Sequence, residues 1–401
     1  MTFTCLTRGT CRRARALTLV SAALFVTHTA AARAQHMSHG ATPQGDATST
    51  TMSEVGMMPG AMQQGHDHMN PPPAGVMGAH IVGKGKVMLM YTPMFMKMDG
   101  SRIGTRRVSP EEIVTTVPNR FDMNPGMPGV QPPTLRIAPQ EMSAEMHMFS
   151  AMYGITDTIN LMVMSSYVEK RMTMITFAGM KGTTRLGISE GSTEGLGDTT
   201  VALAFKLWQG QGQRLNGNIG VSIPTASITE RGRMLSPMGM MMDMRSAYGM
   251  QLGTGTYDLV PSLTYLGGSG RLGWGAQIKG RIALEDENDE GYRWGNLYEA
   301  TAWLSYKLTD GLSGTARLAA STQDEIHGQD PQIGGIFQGT YPEFYGGERI
   351  EAFLGLNGHM PLGEGRMIRV GIEAGVPLYQ NLNGPQLERD WSLAFTAGLH
   401  F

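Results

Sequence analysis

Thirty-three methionines in 401 residues bring an unusual amount of sulfur into one chain, and much of it stands beside histidine. In the stretch 35–83 the tightest groups are His36-Met37-Ser38-His39 and His66-Asp67-His68-Met69, with Met52, Met57, Met58, Met62, Met77 and His80 around them. Thioether and imidazole are soft and borderline ligands that suit Cu(I), Cu(II) or Ag(I). A thioether does not titrate, so it keeps hold of a soft metal in acid. His36, Met37, His39, His66, His68 and Met69 are therefore the first candidate ligands, on a tail that would capture metal weakly and hand it on. The competing reading is a spacer whose Met and His are incidental.

A second sulfur group, Met234, Met238, Met240, Met241, Met242 and Met244, falls in a long loop. Met238, Met240, Met242 and Met244 are its candidate ligands, although exposed methionine also serves as an oxidant sink or packs a loop on its neighbours. Methionines inside strands, such as Met88, Met90 and Met367, read as packing filler. The run Glu285-Asp286-Glu287-Asn288-Asp289-Glu290 offers carboxylates to a divalent cation, without the spacing of an EF-hand. Gly187-Ile188-Ser189-Glu190-Gly191 matches a nucleophile elbow, but that motif needs a strand-to-helix turn. A barrel hydrolase using Ser189 with His147, His359 or His400 is an alternative, and the chain is read as not an enzyme.

The elements that must position these groups are strands. In Trp391–Phe401 every second residue is apolar: Trp391, Leu393, Phe395, Ala397, Leu399 and Phe401. The segment is about as long as the roughly 9–11 residues a tilted strand needs to cross a bilayer. The same alternation marks about eleven more segments, near 84–96, 143–153, 158–170, 198–208, 214–223, 256–266, 271–284, 297–308, 312–322, 349–360 and 367–378. Tight turns alternate with long loops between them, as periplasmic turns alternate with extracellular loops. The expected fold is all-β, a transmembrane antiparallel up-and-down barrel of about twelve strands. A bulge is expected at Pro261, where a ladder hydrogen bond is lost. Lys206, Lys279, Arg281, Glu299, Arg317, Arg349, Glu351, Arg369 and Glu373 then fall on the inward parity and are expected to line the lumen.

The amino terminus reads as a secretory leader: Arg8, Arg12, Arg13 and Arg15, an apolar run from Ala16 to Val26, and Ala32-Arg33-Ala34 before Gln35. The expected organisation is a signal peptide over 1–34, a disordered Met/His-rich periplasmic tail over 35–83 and the barrel over 84–401. Both cysteines, Cys5 and Cys11, lie in the leader, which excludes a disulfide framework or cysteine metal site in the mature chain. Removing the leader's five arginines takes the formal charge from -2 to -7, against nucleic-acid binding.

Three stretches carry a resemblance: 192–199 (STEGLGDT), 248–261 (YGMQLGTGTYDLVP) and 379–387 (YQNLNGPQL). Over about 84–401 the chain resembles the outer-membrane family named for a MetA pathway of phenol degradation, also labelled simply transporter. The resemblance implies an outer-membrane barrel and no catalytic motif. For members with Met pairs such as Met146-His147-Met148 and Met162-Val163-Met164 it also implies a link to copper handling. The expected function is an outer-membrane channel or transport component of a Gram-negative cell whose tail binds copper or another soft metal. The alternative cargo is a small aromatic or hydrophobic compound. Expected partners are outer-membrane lipid, lipopolysaccharide, the barrel assembly machinery and periplasmic metal carriers, with no nucleic acid.

Overall fold

The computed structural model describes residues 71–121, 131–363 and 366–401. Eleven strands form one closed antiparallel ring in chain order. They are β1 (Val87–Gly104), β2 (Ile137–Gly154), β3 (Ile159–Phe177), β4 (Thr199–Gly210), β5 (Gln213–Ile223) and β6 (Ser262–Ser269), then β7 (Leu272–Ala283), β8 (Leu297–Thr309), β9 (Leu312–Gln323), β10 (Gly347–Gly363) and β11 (Arg366–His400). The last strand pairs back onto the first, so the ring has no open edge.

β11 is 35 residues long and crosses the wall twice. Residues 366–382 pair with β10 while residues 382–400 pair with β1. A Cβ on Gly375 would lie 3.0 Å from Ser392 Oγ, so the two limbs run side by side. The wall is therefore crossed twelve times, which agrees with the strand count read from alternation.

Side chains sort inversely to a soluble protein. Leu89, Phe149, Leu161, Ile219, Leu304, Leu354 and Val376 are exposed on the outside. Thr92, Asn160, Asn216, Thr264, Gln277, Asn357 and Glu373 are buried inside. Residues two apart along each strand share a face, and an apolar outer band with a polar interior is the condition for sitting in lipid. A shallow hollow of about 700 Å³ among Leu272, Leu304, Leu354 and Ile372 belongs to this outer band. No helix among the described residues is long and apolar enough to cross a membrane.

Pro261 behaves differently from expectation. The ladder is interrupted at Val260-Pro261, yet Asp258 and Ser262 keep the same register against both neighbours. No extra residue is inserted, so the strand breaks without a bulge.

At one end the connections are tight turns. At the other, β1, β2 and β3 run 18, 18 and 19 residues, longer than a crossing requires, and carry long loops. These include a helix α1 (Pro110–Thr116), capped by Ser109, whose side chain accepts from Glu112 N at 3.1 Å. Val108, Ile113, Val114, Leu135 and Tyr341 form one small core there, and Tyr248, Tyr292, Ile326 and Ile333 another.

Residues 71–83, expected to belong to the disordered Met/His-rich tail, are ordered inside the barrel. Ala74, Val76, Ala79 and Val82 are buried, and Val76 and Ala79 pack on Leu266 and Trp303 of the wall. We call this segment the plug.

Candidate functional site

The plug has no ladder of its own, so wall side chains satisfy its backbone groups. Asn160 makes a two-way pair with Val82, accepting from its N–H at 2.7 Å and donating to its carbonyl at 2.9 Å. Asn216 donates to Ala79 O at 3.0 Å, Asn218 to Gly78 O at 2.9 Å and Gln277 to Met77 O at 2.8 Å. Gly75 N donates to Glu373 Oε2 at 3.0 Å, and Arg369 donates to Pro72 O. The contacts come from β3, β5, β7 and β11 in turn, so the plug crosses the lumen against strands on several sides of the ring.

The charged residues expected in the lumen stand on the inward register, and many are paired. Arg317 and Glu373 share two hydrogen bonds of 2.9 and 2.7 Å, and the guanidinium lies 3.7 Å from the Phe353 ring centroid. Lys279 pairs with Glu299 at 2.7 Å, and Glu351 with Arg389 at 2.7 Å. Arg281 lies 3.8 Å from Asp258, Arg349 precedes Glu351 on the same face, and Lys206 stands opposite Asn216. Arg369 Nη1 approaches the plug's His80 Nε2 at 2.6 Å. The interior is thus a set of paired charges that seats the plug.

The feature not anticipated from sequence is which way the strand methionines face. On β1 the inward positions hold Met88, Met90, Met94, Met96 and Met98, while Leu89, Tyr91 and Phe95 face out. On β2 they hold Met142, Met146, Met148 and Met152. On β3 they hold Met162, Met164, Met172 and Met174. Three adjacent strands thereby present thirteen thioethers to the lumen, in register: Met88 with Met152, Met94 with Met146, Met98 with Met142, and Met142 with Met172. Reading these methionines as neutral filler overlooked their common face. The signal was present as strict parity, Met on even positions of 88–98 against Leu, Tyr and Phe on odd ones.

Other expected sites are placed as follows. His36, Met37, His39, His66, His68 and Met69 lie outside the described residues. Met238, Met240, Met242 and Met244 sit on or next to a hairpin formed by Arg231–Leu235 and Met241–Arg245. Met238, Met240 and Met242 are exposed there. In the acidic loop Glu285 accepts from Tyr257 N at 2.8 Å and Glu290 lies 3.5 Å from Arg245, so the carboxylates diverge. No group of three His, Cys, Asp or Glu among the described residues is arranged to hold a metal ion. Ser189 is paired with Met174 on the inner face. His147 is on the outer face, its Nδ1 2.7 Å from Tyr91 Oη. The wall separates the two, so they form no catalytic pair.

No protein-family model matches the chain, and no curated protein matches it by sequence. Solved structures do. An outer-membrane channel from Pseudomonas putida F1 aligns with a TM-score of 0.50 at 13% identity, over 83% of this chain and 100% of that one. The Ralstonia pickettii toluene transporter TbuX aligns with a TM-score of 0.39 at 9% identity, over 80% and 90%. The Pseudomonas putida toluene transporter TodX gives 0.37 at 9% over the same shares. At these identities the likeness is one of fold, that of outer-membrane barrels. The resemblance read from the three sequence stretches therefore stands for the barrel, and the phenol-degradation label receives no support from a family model.

Proposed function

We propose that the protein is an outer-membrane conduit for a soft monovalent cation, Cu(I) or Ag(I). The observation that carries this reading is the methionine wall. Thirteen inward thioethers on three adjacent strands form a continuous series of soft, uncharged ligands. Neutral ligands hold such an ion and release it to the next without a proton changing place. Conduction needs sites weak and numerous enough for the ion to leave each one. The Met and His groups of 36–69 would gather the same ion on the periplasmic side, by residue type alone.

The plug narrows the lumen near its tight-turn end, so passage requires the plug to shift. Reconstitution into liposomes loaded with a silver-sensitive dye tests the reading. The expected result is Ag(I) entry that slows when Met94, Met96, Met146 and Met148 are replaced by leucine. Entry at the rate of empty liposomes would overturn it.

A second reading is a path for small aromatic compounds. The same wall favours it, since thioethers contact aromatic rings well. Toluene or phenol uptake that survives those leucine replacements, with no Ag(I) entry, would replace the first reading by this one.

A further inference from the structure

One of the rows of three methionines in the wall lies where the last strand meets the first. In the ladder register His400, Met88, Met152 and Met162 are successive partners across four neighbouring limbs of the wall. One imidazole and three thioethers therefore stand at one height on one face. Directly opposed residues of antiparallel strands hold their Cβ atoms about 4.5–5.5 Å apart. Methionine is unbranched with three rotatable bonds, so neighbouring sulfurs can turn towards a common point. Met88, Met152 and Met162 are each no more than 6% exposed. Met90 and Met164 stand one step further along the same strands, and the plug's Met77 and His80 close the site from the lumen.

Two further observations point to a small ligand. A void lined by Met77, His80, Met88, Met152 and Met162, with Met90 and Met164 at its edge, measures about 10 Å³, room for one water-sized particle. Next to Met88 in the same row, His400 Nε2 is buried with no hydrogen-bond partner among the described residues, a state that favours a ligand able to satisfy it.

The chemistry of the lining selects the ligand. No carboxylate lines the void, so a hard divalent cation lacks the oxygen ligands it requires. Arg369 stands against His80, and its positive charge repels an incoming cation in proportion to that cation's charge. A dication meets twice the penalty of a monocation, and thioethers offer it nothing in compensation. An aromatic ring does not fit, because a dry cavity that accepts benzene is on the order of 150 Å³.

We propose that His400, Met88, Met152 and Met162, covered by Met77, form a discrete site for one soft monovalent cation, Cu(I) or Ag(I). The inference deepens the proposed transport reading, on which its biological sense rests, but it is tested by equilibrium binding and not by flux.

Ag(I) serves as the probe because it does not change oxidation state. It is titrated into the full chain in detergent, with the methionines and histidines of 35–69 replaced by leucine and glutamine so that the tail does not contribute. Bound silver is counted by mass spectrometry against a competing thioether. One Ag(I) per chain is expected, and Met88→Leu/Met152→Leu/Met162→Leu should weaken it at least tenfold. Met→Leu nearly conserves volume, so the barrel should persist, as heat-dependent gel mobility would report. Should the triple variant fail to fold, Met88→Leu and His400→Gln are read singly, each weakening binding severalfold. Unchanged affinity in the folded variants, or equal competition by Zn(II), would overturn the assignment. Silver bound without flux removes the transport reading and leaves the site, whereas flux without bound silver removes the site alone.

Discussion

Glu373 joins the wall to the plug: its Oε2 accepts the Gly75 N–H at 3.0 Å while both of its oxygens are held by Arg317 at 2.9 and 2.7 Å. Both charged side chains are almost wholly buried. Removing one member leaves the other charged and unpaired, at a cost of about 3–5 kcal/mol. Arg317→Met and Glu373→Gln should each lower barrel stability in a denaturant titration by that order. The double variant Arg317→Met/Glu373→Leu should lose clearly less than the two single losses added together.

Gly75 tests the plug more gently. A Cβ there would lie 2.4 Å from Glu373 Oε2 and 2.8 Å from Arg317 Nη2, so no larger residue seats without displacing the pair. Gly75→Val should raise single-channel conductance in planar bilayers, while the ladders of the wall, whose backbone pairing the change does not touch, keep the barrel's gel mobility. Identical conductance in both proteins would show that the plug does not limit passage.

Met148 and Phe149 are adjacent in sequence and opposite in exposure, inside and outside the wall. A lysine facing hydrocarbon near the bilayer midplane costs about 2–4 kcal/mol. Phe149→Lys should therefore depress folding into vesicles by that amount, and Met148→Lys, opening onto the lumen, by much less. Equal penalties would contradict the assigned faces.

Arg245 and Asp330 fasten two outer loops, with Nη1 and Oδ2 3.1 Å apart and both side chains buried. Asp330 N donates to Tyr248 Oη at 3.1 Å. Arg245→Met should expose both loops to limited proteolysis while the strands stay resistant. A cleavage pattern like the parent's would mean that the small apolar cores alone hold the loops.

Much of this architecture was legible because lipid imposes a period of two on the chain. Leu203 and Val201 alternate with Ala202 and Ala204, and Ile278 and Ala276 with Gln277 and Lys279, so strand, face and lumen charge were read together. Methionine escaped that reading for a physical reason. Its side chain is apolar enough for the lipid side and soft enough for a ligand, so hydropathy does not assign it a face. Only the company of Leu89, Tyr91 and Phe95 on the other parity does. The plug escaped because its order comes from elsewhere: Asn160, Asn216 and Gln277, all distant in sequence, supply its hydrogen bonds, and Pro71–Gly83 itself has no period.

The plug leads into β1 through only Lys84, Gly85 and Lys86, and Lys84 N is already tied to Asp157. So short a tether confines the segment to the mouth of the cylinder even when its contacts inside are broken, at a high local concentration relative to its seat. The occupant behaves as a stopper on a chain, returning to its place without a search.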